Sequence, residues 1–255
     1  MSKRGLFFAK PLMNAAGALG FAPDVRFPWD WGEFGAFVTN PLSWRSRNPT
    51  AEPLLAEYPG GFLLHTGLPN PGFVRVREQY AGRWERANLP VIVHLMADRP
   101  EEAGRMVQHL ESLENILAVE LGFAPLLTDD IILRAVEMSA GELPVIVNLP
   151  WEQVLRLGPL VLAAGAEAIS LAAPRGALWL NGRMVSGRLF GPALLAQSLL
   201  LVRQAAQSGL PVIGGCGVYS REHVNAMLEA GALAVQVDAV LWRGGFIQTK
   251  TAHHG

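Results

Sequence analysis

The sequence predicts a single eight-stranded parallel β/α barrel, a TIM barrel of the α/β class, and two observations lead to this prediction. First, three segments, 89–95, 143–149 and 210–215, each contain a proline followed by a short run of β-branched residues, as in LPVIVHL. Such continuous apolar runs are typical of strands buried on both faces of a parallel sheet. Second, five similar runs, with helix-period segments in most of the gaps, bring the alternation to eight units in 255 residues.

The alternative is an open, doubly wound sheet. Its glycine fingerprint would normally follow the first strand, whereas here the glycines follow the seventh. Strands are predicted at 11–14, 34–39, 89–95, 116–121, 143–149, 168–172, 210–215 and 234–237. Helices are predicted at 73–87, 99–114, 128–140, 151–164, 191–208 and 220–230.

The irregular segment 40–72 is too apolar to be a linker. We therefore expect one domain over residues 1–255, in which this segment forms an active-site loop above the carboxyl ends of the strands. No low-complexity stretch suggests a second domain.

Composition excludes several classes of function. The formal net charge of −1 gives no reason to expect nucleic acid or a membrane surface as a partner. The single cysteine, Cys216, excludes internal disulfides and an iron–sulfur cluster ligated within this chain. No apolar run approaches the roughly 18 residues of a membrane span, and the histidines show no metal-ligand spacing. We expect a cytoplasmic protein without a metal site.

In barrels of this kind, chemistry takes place at the carboxyl ends of the strands. Three asparagines among these residues suit a flat, amide-rich heterocycle, because an amide both donates and accepts hydrogen bonds. An equally open alternative is that each asparagine only forms hydrogen bonds with the backbone of a neighbouring loop. For His94 we expect packing against a loop, and for Glu120 capping of a loop. The strand-end residues are Asn14, Asn40, His94, Glu120, Asn148, Gly214 and Asp238.

A glycine turn, GGCG at 214–217, follows the seventh strand. Beside the eighth strand, such a turn is the usual phosphate site of the fold, built from backbone N–H groups and a helix N-terminus. A purely structural tight turn is the alternative. Asp238, at the end of the eighth strand, opposes an anion there. A carboxylate about 4 Å from a phosphate charge is unfavourable by about 4 kcal/mol at an effective dielectric constant of about 20.

Motifs along nearly the whole chain resemble the dihydroorotate dehydrogenase family of FMN-dependent barrels. PLMNAAGALGF at 11–21 is similar to the family's first strand, and GAFVTNPLS at 35–43 to its second. The segment 48–72, ending in GLPNPG, resembles a substrate loop, and 185–194 resembles the segment after strand six. Residues 211–237 resemble the phosphate-binding end.

The resemblance implies FMN as the cofactor, a small heterocyclic substrate, a role in pyrimidine biosynthesis and a homodimer. It places the cofactor against Ala15, Ala16, Gly17, Asn40, Asn148, Ser186, Gly187, Gly214, Gly215, Cys216, Gly217 and Asp238. It places the substrate against Thr66, Gly67, Leu68 and Asn70.

The chain departs from the family's pattern at side chains that touch ligand. Two flavin-contacting lysines align with Asn40 and Asn148, so two cations that would stabilise negative charge on the flavin are absent. Asparagines that bind substrate align with Leu64, Gly122 and Ala173.

The loop that carries the family's catalytic base reads GFAPLLTDD at 122–130. Only Thr128 and Asp129 are candidates to take the proton, and threonine is a poor base unaided. Two hypotheses follow. The chain is an FMN-dependent oxidoreductase of dihydroorotate dehydrogenase type with a changed substrate, or it is a barrel that has lost orotate chemistry and serves as a binding or interaction protein.

Overall fold

A closed barrel of eight parallel strands forms the centre of the computed structural model, which describes residues 5–24, 30–244 and 246. The predicted fold class is therefore confirmed. The strands of these ranges are β1 (Leu12–Asn14), β2 (Phe34–Val38), β3 (Leu54–Tyr58), β4 (Gly61–His65), β5 (Val91–Met96), β6 (Ile116–Gly122), β7 (Val145–Leu149), β8 (Ala168–Leu171), β9 (Arg175–Leu180), β10 (Arg183–Phe190), β11 (Val212–Gly214) and β12 (Ala234–Val237). The barrel order is β1-β2-β5-β6-β7-β8-β11-β12.

Each predicted helical segment contains an α-helix. These are α1 (Phe73–Glu85), α2 (Pro100–Leu110), α3 (Asp129–Ser139), α4 (Val154–Ala163), α5 (Leu195–Gln207) and α6 (Arg221–Glu229). Short 3-10 helices precede α4 and α5, at Trp151–Gln153 and Pro192–Leu194. Among the described residues, no helix has both the length and the apolar character that crossing a membrane requires.

A second, antiparallel sheet of four strands lies across the carboxyl ends of the barrel strands, in the order β3-β4-β10-β9. It contains two hairpins, one from segment 40–72 and one from the residues after β8. Segment 40–72, which was expected to form an active-site loop, carries the β3–β4 hairpin, and residues from it line the cavity described below. The strands β9 and β10 were not predicted. The strand β9 alternates exposed and half-buried residues. The Asn181–Gly182 turn between β9 and β10, where both residues have positive φ, is a hairpin signal.

The barrel interior is built in layers. Side chains two positions apart on a strand point to the same side. The lower layer is apolar and consists of Met13, Ala36, Val38, Ile92, Ala118, Ile146, Ala168, Ile213 and Ala234. Two residues further along five of these strands, the inward position is polar: His94, Glu120, Asn148, Ser170 and Gln236. A polar layer thus lies at the carboxyl end of the barrel.

Truncation of the apolar layer should destabilise the whole fold. Ile92 is fully buried in the barrel interior, so Ile92→Ala removes buried methyl groups and leaves a cavity. We expect a loss of about 2–5 kcal/mol in the free energy of unfolding, measured by urea titration. The control, Leu160→Ala on an exposed face of α4, should change it by less than about 0.5 kcal/mol. Equal losses in the two variants would contradict this layered core.

Candidate active site

A cavity of about 860 Å³ lies between the carboxyl ends of the barrel strands and the four-stranded sheet. His94, Asn148 and Gly215 line it from the barrel, and Leu64 and Arg188 line it from the sheet. Cavities of about 300–1,000 Å³ are typical of small-molecule sites. This end of the barrel is also where β/α barrels carry their chemistry.

Glu120 is fully buried and lies at the centre of a hydrogen-bonded group beneath this cavity. Its Oε1 accepts hydrogen bonds from Ser170 Oγ at 2.6 Å and from Gln236 Nε2 at 2.7 Å. Its Oε2 lies 2.6 Å from His94 Nδ1. Burial opposes ionisation of the carboxyl, but these bonds, above all the one to His94, hold the pKa of Glu120 below its ordinary value. Glu120 is therefore a carboxylate at neutral pH.

His94 is oriented by this carboxylate. Because ionised Glu120 can only accept, the hydrogen in their bond belongs to His94 Nδ1. The other ring nitrogen, Nε2, has no partner among the described residues, is not fully buried, and belongs to a residue that lines the cavity. Gly122 makes room for the ring, since a Cβ at this position would lie 2.3 Å from Nε2. The expectation that Glu120 caps a loop and His94 packs against one was wrong.

The turn at 214–217 presents backbone donors. Cys216 and Gly217 have φ angles of 64° and 81°, and the residues of the turn are buried. No oxygen of the described residues accepts from the N–H groups of Gly215, Cys216 or Gly217. The start of α5 packs against the turn, since a Cβ on Gly217 would lie 2.4 Å from Leu195 N. Buried N–H groups are normally paired, so these donors are available to an anion.

Asp238 adds a negative charge to the cavity wall. Its Oδ1 accepts from Ala239 N at 2.5 Å and caps the 3-10 helix Ala239–Arg243. Burial raises the pKa of Asp238 to about 6, although these backbone hydrogen bonds act against the shift. No residue in the described ranges forms an ion pair with it, and Arg221 pairs with Glu33 instead. Above about pH 6 the charge of Asp238 is therefore uncompensated.

Arg188, on β10, adds a positive charge to the cavity lining. Its guanidinium lies 5.6 Å from the centre of the Phe190 ring. Burial and the nearby Arg175 lower the pKa of Arg188 to about 10, so the side chain is still a cation at neutral pH. Within the described part of the chain, no carboxylate forms an ion pair with it. The cavity thus contains a cation that lacks a protein counter-ion.

The structure brings most of the predicted ligand-binding residues to this cavity. Those that line it are Ala15, Ala16, Thr66, Gly67, Leu68, Asn148, Gly187, Gly215, Cys216 and Asp238. Those that do not line it are Gly17, Asn40, Asn70, Ser186, Gly214 and Gly217. Ser186 is exposed on β10, and Gly17 lies near Arg188, whose Nη1 would be 3.9 Å from a Cβ at that glycine.

Two of the three strand-end asparagines bind backbone instead of facing the cavity. Asn14 links β1 to β2, because its side chain both donates to and accepts from the backbone of Val38. Asn40 accepts a hydrogen bond from Gly20 N at 3.0 Å. Asn148 lines the cavity and donates to Ser170 Oγ at 2.9 Å.

The candidate bases in the 122–130 loop lie elsewhere. Thr128 precedes α3, and Asp129 is the first residue of that helix. A bidentate hydrogen-bonded pair with Arg156 holds the pKa of Asp129 below its ordinary value, and neither residue lines the cavity.

Sequence reasoning missed Ser170, Gln236 and Arg188. For the first two a signal existed, since each is a lone polar residue in an apolar strand, in AISL and AVQV. Both stand two positions after an inward alanine. For Arg188 the sequence offered no such signal, because its place at the cavity depends on strand β10, which was not predicted.

Sequence comparisons show which known proteins this chain is similar to. The model of the family described as dihydroorotate dehydrogenase matches residues 2–123. The catalytic subunit of dihydroorotate dehydrogenase B (NAD(+)) from Geobacillus sp. (strain WCH70) is 26% identical over 257 residues, covering 91% of this chain and 82% of that protein. The subunit of the same name from Geotalea uraniireducens (strain Rf4) is 28% identical over 255 residues, covering 91% and 84%.

Removal of the Asp238 charge should stabilise the protein above about pH 6. The folded-state pKa of Asp238 is raised, so its contribution is favourable at low pH and is lost as pH rises through about 6. A pKa of about 6 in place of the ordinary 3.8 corresponds to about 3 kcal/mol. Asp238→Asn, which keeps the oxygen that caps Ala239, should gain up to this amount at about pH 8 and almost none at about pH 3, by urea unfolding.

The matched control for this prediction is Asp129→Asn, which neutralises an exposed aspartate that pairs with Arg156. It should show no such gain at either pH. If Asp238→Asn were no more stable than wild type at about pH 8, the assignment of an uncompensated buried charge would be wrong.

Proposed function

We propose that this chain is a divergent member of the dihydroorotate dehydrogenase family, as its family-model match and its relatives support, and that it is an FMN-dependent oxidoreductase whose substrate is not dihydroorotate. One observation carries the proposal. The unpaired N–H groups of Gly215, Cys216 and Gly217 lie at the same end of the barrel as the cavity that His94 lines. Donors for a phosphate and a group able to exchange a proton therefore meet at one site.

The residues present fit FMN. Three N–H groups beside the start of α5 are the donors that a phosphate requires. Ala15 and Ala16 form part of the cavity wall, and Asn148 offers an amide to the ring system. Bound FMN would supply a two-electron acceptor next to the substrate. The chain itself binds and orients the ligands and covers them with the four-stranded sheet, which limits their contact with water.

The substrate side of the cavity lacks the donors that orotate requires. Leu64, Gly122 and Ala173 line the cavity, and none of them has a polar side chain. Each polar group of a buried ring that stays unpaired costs about 1–3 kcal/mol. Three such groups are enough to prevent productive binding of dihydroorotate.

A second candidate function is a binding or interaction protein that no longer catalyses a reaction. The charge of Asp238 in the cavity wall favours it, because an ionised carboxylate opposes a phosphate. A cytoplasmic location, which the composition favours, and a homodimer, which the family resemblance implies, complete the proposal.

Purified wild-type protein should be yellow and should release FMN on denaturation. After removal of the flavin, Asp238→Asn should bind FMN at least about tenfold more tightly than wild type at about pH 8, because it removes a charge worth more than about 1.4 kcal/mol. The difference should vanish at about pH 4, where wild-type Asp238 is protonated. Quenching of FMN fluorescence measures both affinities.

Asp129→Asn again serves as the control and should bind FMN as wild type does. If the wild type is colourless and neither aspartate variant gains affinity for FMN, the turn is structural and the second candidate function is favoured.

Dihydroorotate should not reduce the bound flavin, and calorimetry should show orotate binding weaker than micromolar. Leu64→Asn restores an amide to the cavity wall and should strengthen orotate binding by the value of one hydrogen bond, about 0.5–1.5 kcal/mol. Micromolar orotate affinity in the wild type, or measurable dihydroorotate oxidation, would refute the changed substrate.

A further inference from the structure

We propose that His94 is the proton acceptor of the reaction and that Arg188 binds the carboxylate of the substrate, so that the substrate class is a small 2-hydroxycarboxylate. This inference rests on the proposed function, because the electrons need the flavin as acceptor. It depends on two groups that line the cavity: His94, whose Nε2 has no partner among the described residues, and Arg188, which has no counter-ion among them.

The first group is the His94–Glu120 pair. Glu120 holds Nδ1 at 2.6 Å, and its own position is held by Ser170 and Gln236. This arrangement leaves the lone pair on Nε2, the nitrogen without a partner at the cavity. A carboxylate behind an imidazole orients the ring and stabilises the imidazolium that forms when Nε2 takes a proton.

The second group is Arg188. It is half-buried in the sheet that covers the cavity, and no carboxylate of the described chain forms an ion pair with it. Partial removal of a cation from water is unfavourable unless a partner compensates it. Guanidinium binds carboxylate through two parallel hydrogen bonds, so an anionic ligand of that shape would supply the missing partner.

The two groups reach the cavity from different sheets. His94 comes from barrel strand β5 and Arg188 from β10 in the covering sheet. A ligand between them would present its carboxylate to the sheet and a hydrogen-bond donor to the barrel. Nε2 accepts hydrogen bonds from O–H or N–H but not usefully from C–H. A hydroxyl on the carbon next to the carboxylate meets this requirement.

The reaction balances as follows. The hydroxyl O–H bond breaks and its proton passes to His94 Nε2. Bound FMN would accept the hydrogen on the same carbon together with both electrons of the C–H bond that breaks. The hydroxyl oxygen would become a carbonyl, so the substrate would be oxidised by two electrons to a 2-oxocarboxylate. His94, now an imidazolium beside Glu120, returns its proton to solvent after the product leaves.

The test uses the flavin-loaded protein as purified, mixed without oxygen with glycolate, L-lactate or D-lactate. Loss of the flavin's visible absorbance measures the reaction. We expect at least one of the three to bleach the wild type. His94→Gln should keep its flavin and bleach about 10²-fold to 10⁴-fold more slowly, the usual contribution of a general base. The control, His109→Gln, changes an exposed histidine of α2 and should leave the rate unchanged.

Binding of the product gives a readout that needs no turnover. Calorimetry with pyruvate and glyoxylate should show affinity that Arg188→Gln weakens about tenfold or more. The control is Arg183→Gln on the same strand, an exposed arginine paired with Glu52, and it should bind as wild type does. This titration also works on protein without flavin, so it tests the carboxylate site even where the proposed cofactor is wrong.

The outcomes separate the two proposals. A colourless protein that binds the oxo acids through Arg188 contradicts the proposed function and supports the carboxylate site. A yellow protein that none of the three hydroxy acids bleaches, a His94→Gln variant as fast as wild type, or oxo-acid affinity unchanged in Arg188→Gln overturns the inference while FMN binding stands.

Discussion

The buried carboxylate of Glu120 is the interaction on which the carboxyl end of the barrel depends. An unpaired charge in the interior would cost several kcal/mol. Here His94, Ser170 and Gln236 offset that cost, and they come from β5, β8 and β12, three strands other than that of Glu120 itself. These strands must bring their polar residues to one height in the barrel. The same contacts that hold the charge therefore also hold the imidazole, with its second nitrogen toward the cavity.

The other charges of the cavity contrast with Glu120. Asp238 and Arg188 line the same space, and each lacks a counter-ion among the described residues. Their cost to stability is consistent with a site that a ligand completes, since local rules of folding are broken most often where function demands it. Because Arg188 and Asp238 do not pair with each other, the cation is free to bind an anionic end of a ligand and the carboxylate is free to accept a hydrogen bond from another part of it.

Much of this fold could be predicted from the sequence because the barrel strands are buried on both faces, which gives continuous apolar runs such as 143–149. The covering sheet could not, because β9 alternates exposed and half-buried residues and its pairing with β10 is set by tertiary contact. The candidate site was predicted in part. The glycine turn was visible as a motif, whereas the bond between His94 and Glu120 joins residues 26 positions apart and depends on barrel closure.

The most direct test is which nitrogen of the neutral His94 ring carries the proton, measured by ¹⁵N NMR of histidine-labelled protein at alkaline pH. We expect the proton on Nδ1, bonded to Glu120, and the lone pair on Nε2. In Glu120→Gln this preference should disappear, while the signals of the exposed His109 should be the same in both proteins. A wild-type spectrum with the proton on Nε2 and none on Nδ1 would contradict the account, because the imidazole would then have no lone pair to offer to a molecule in the cavity.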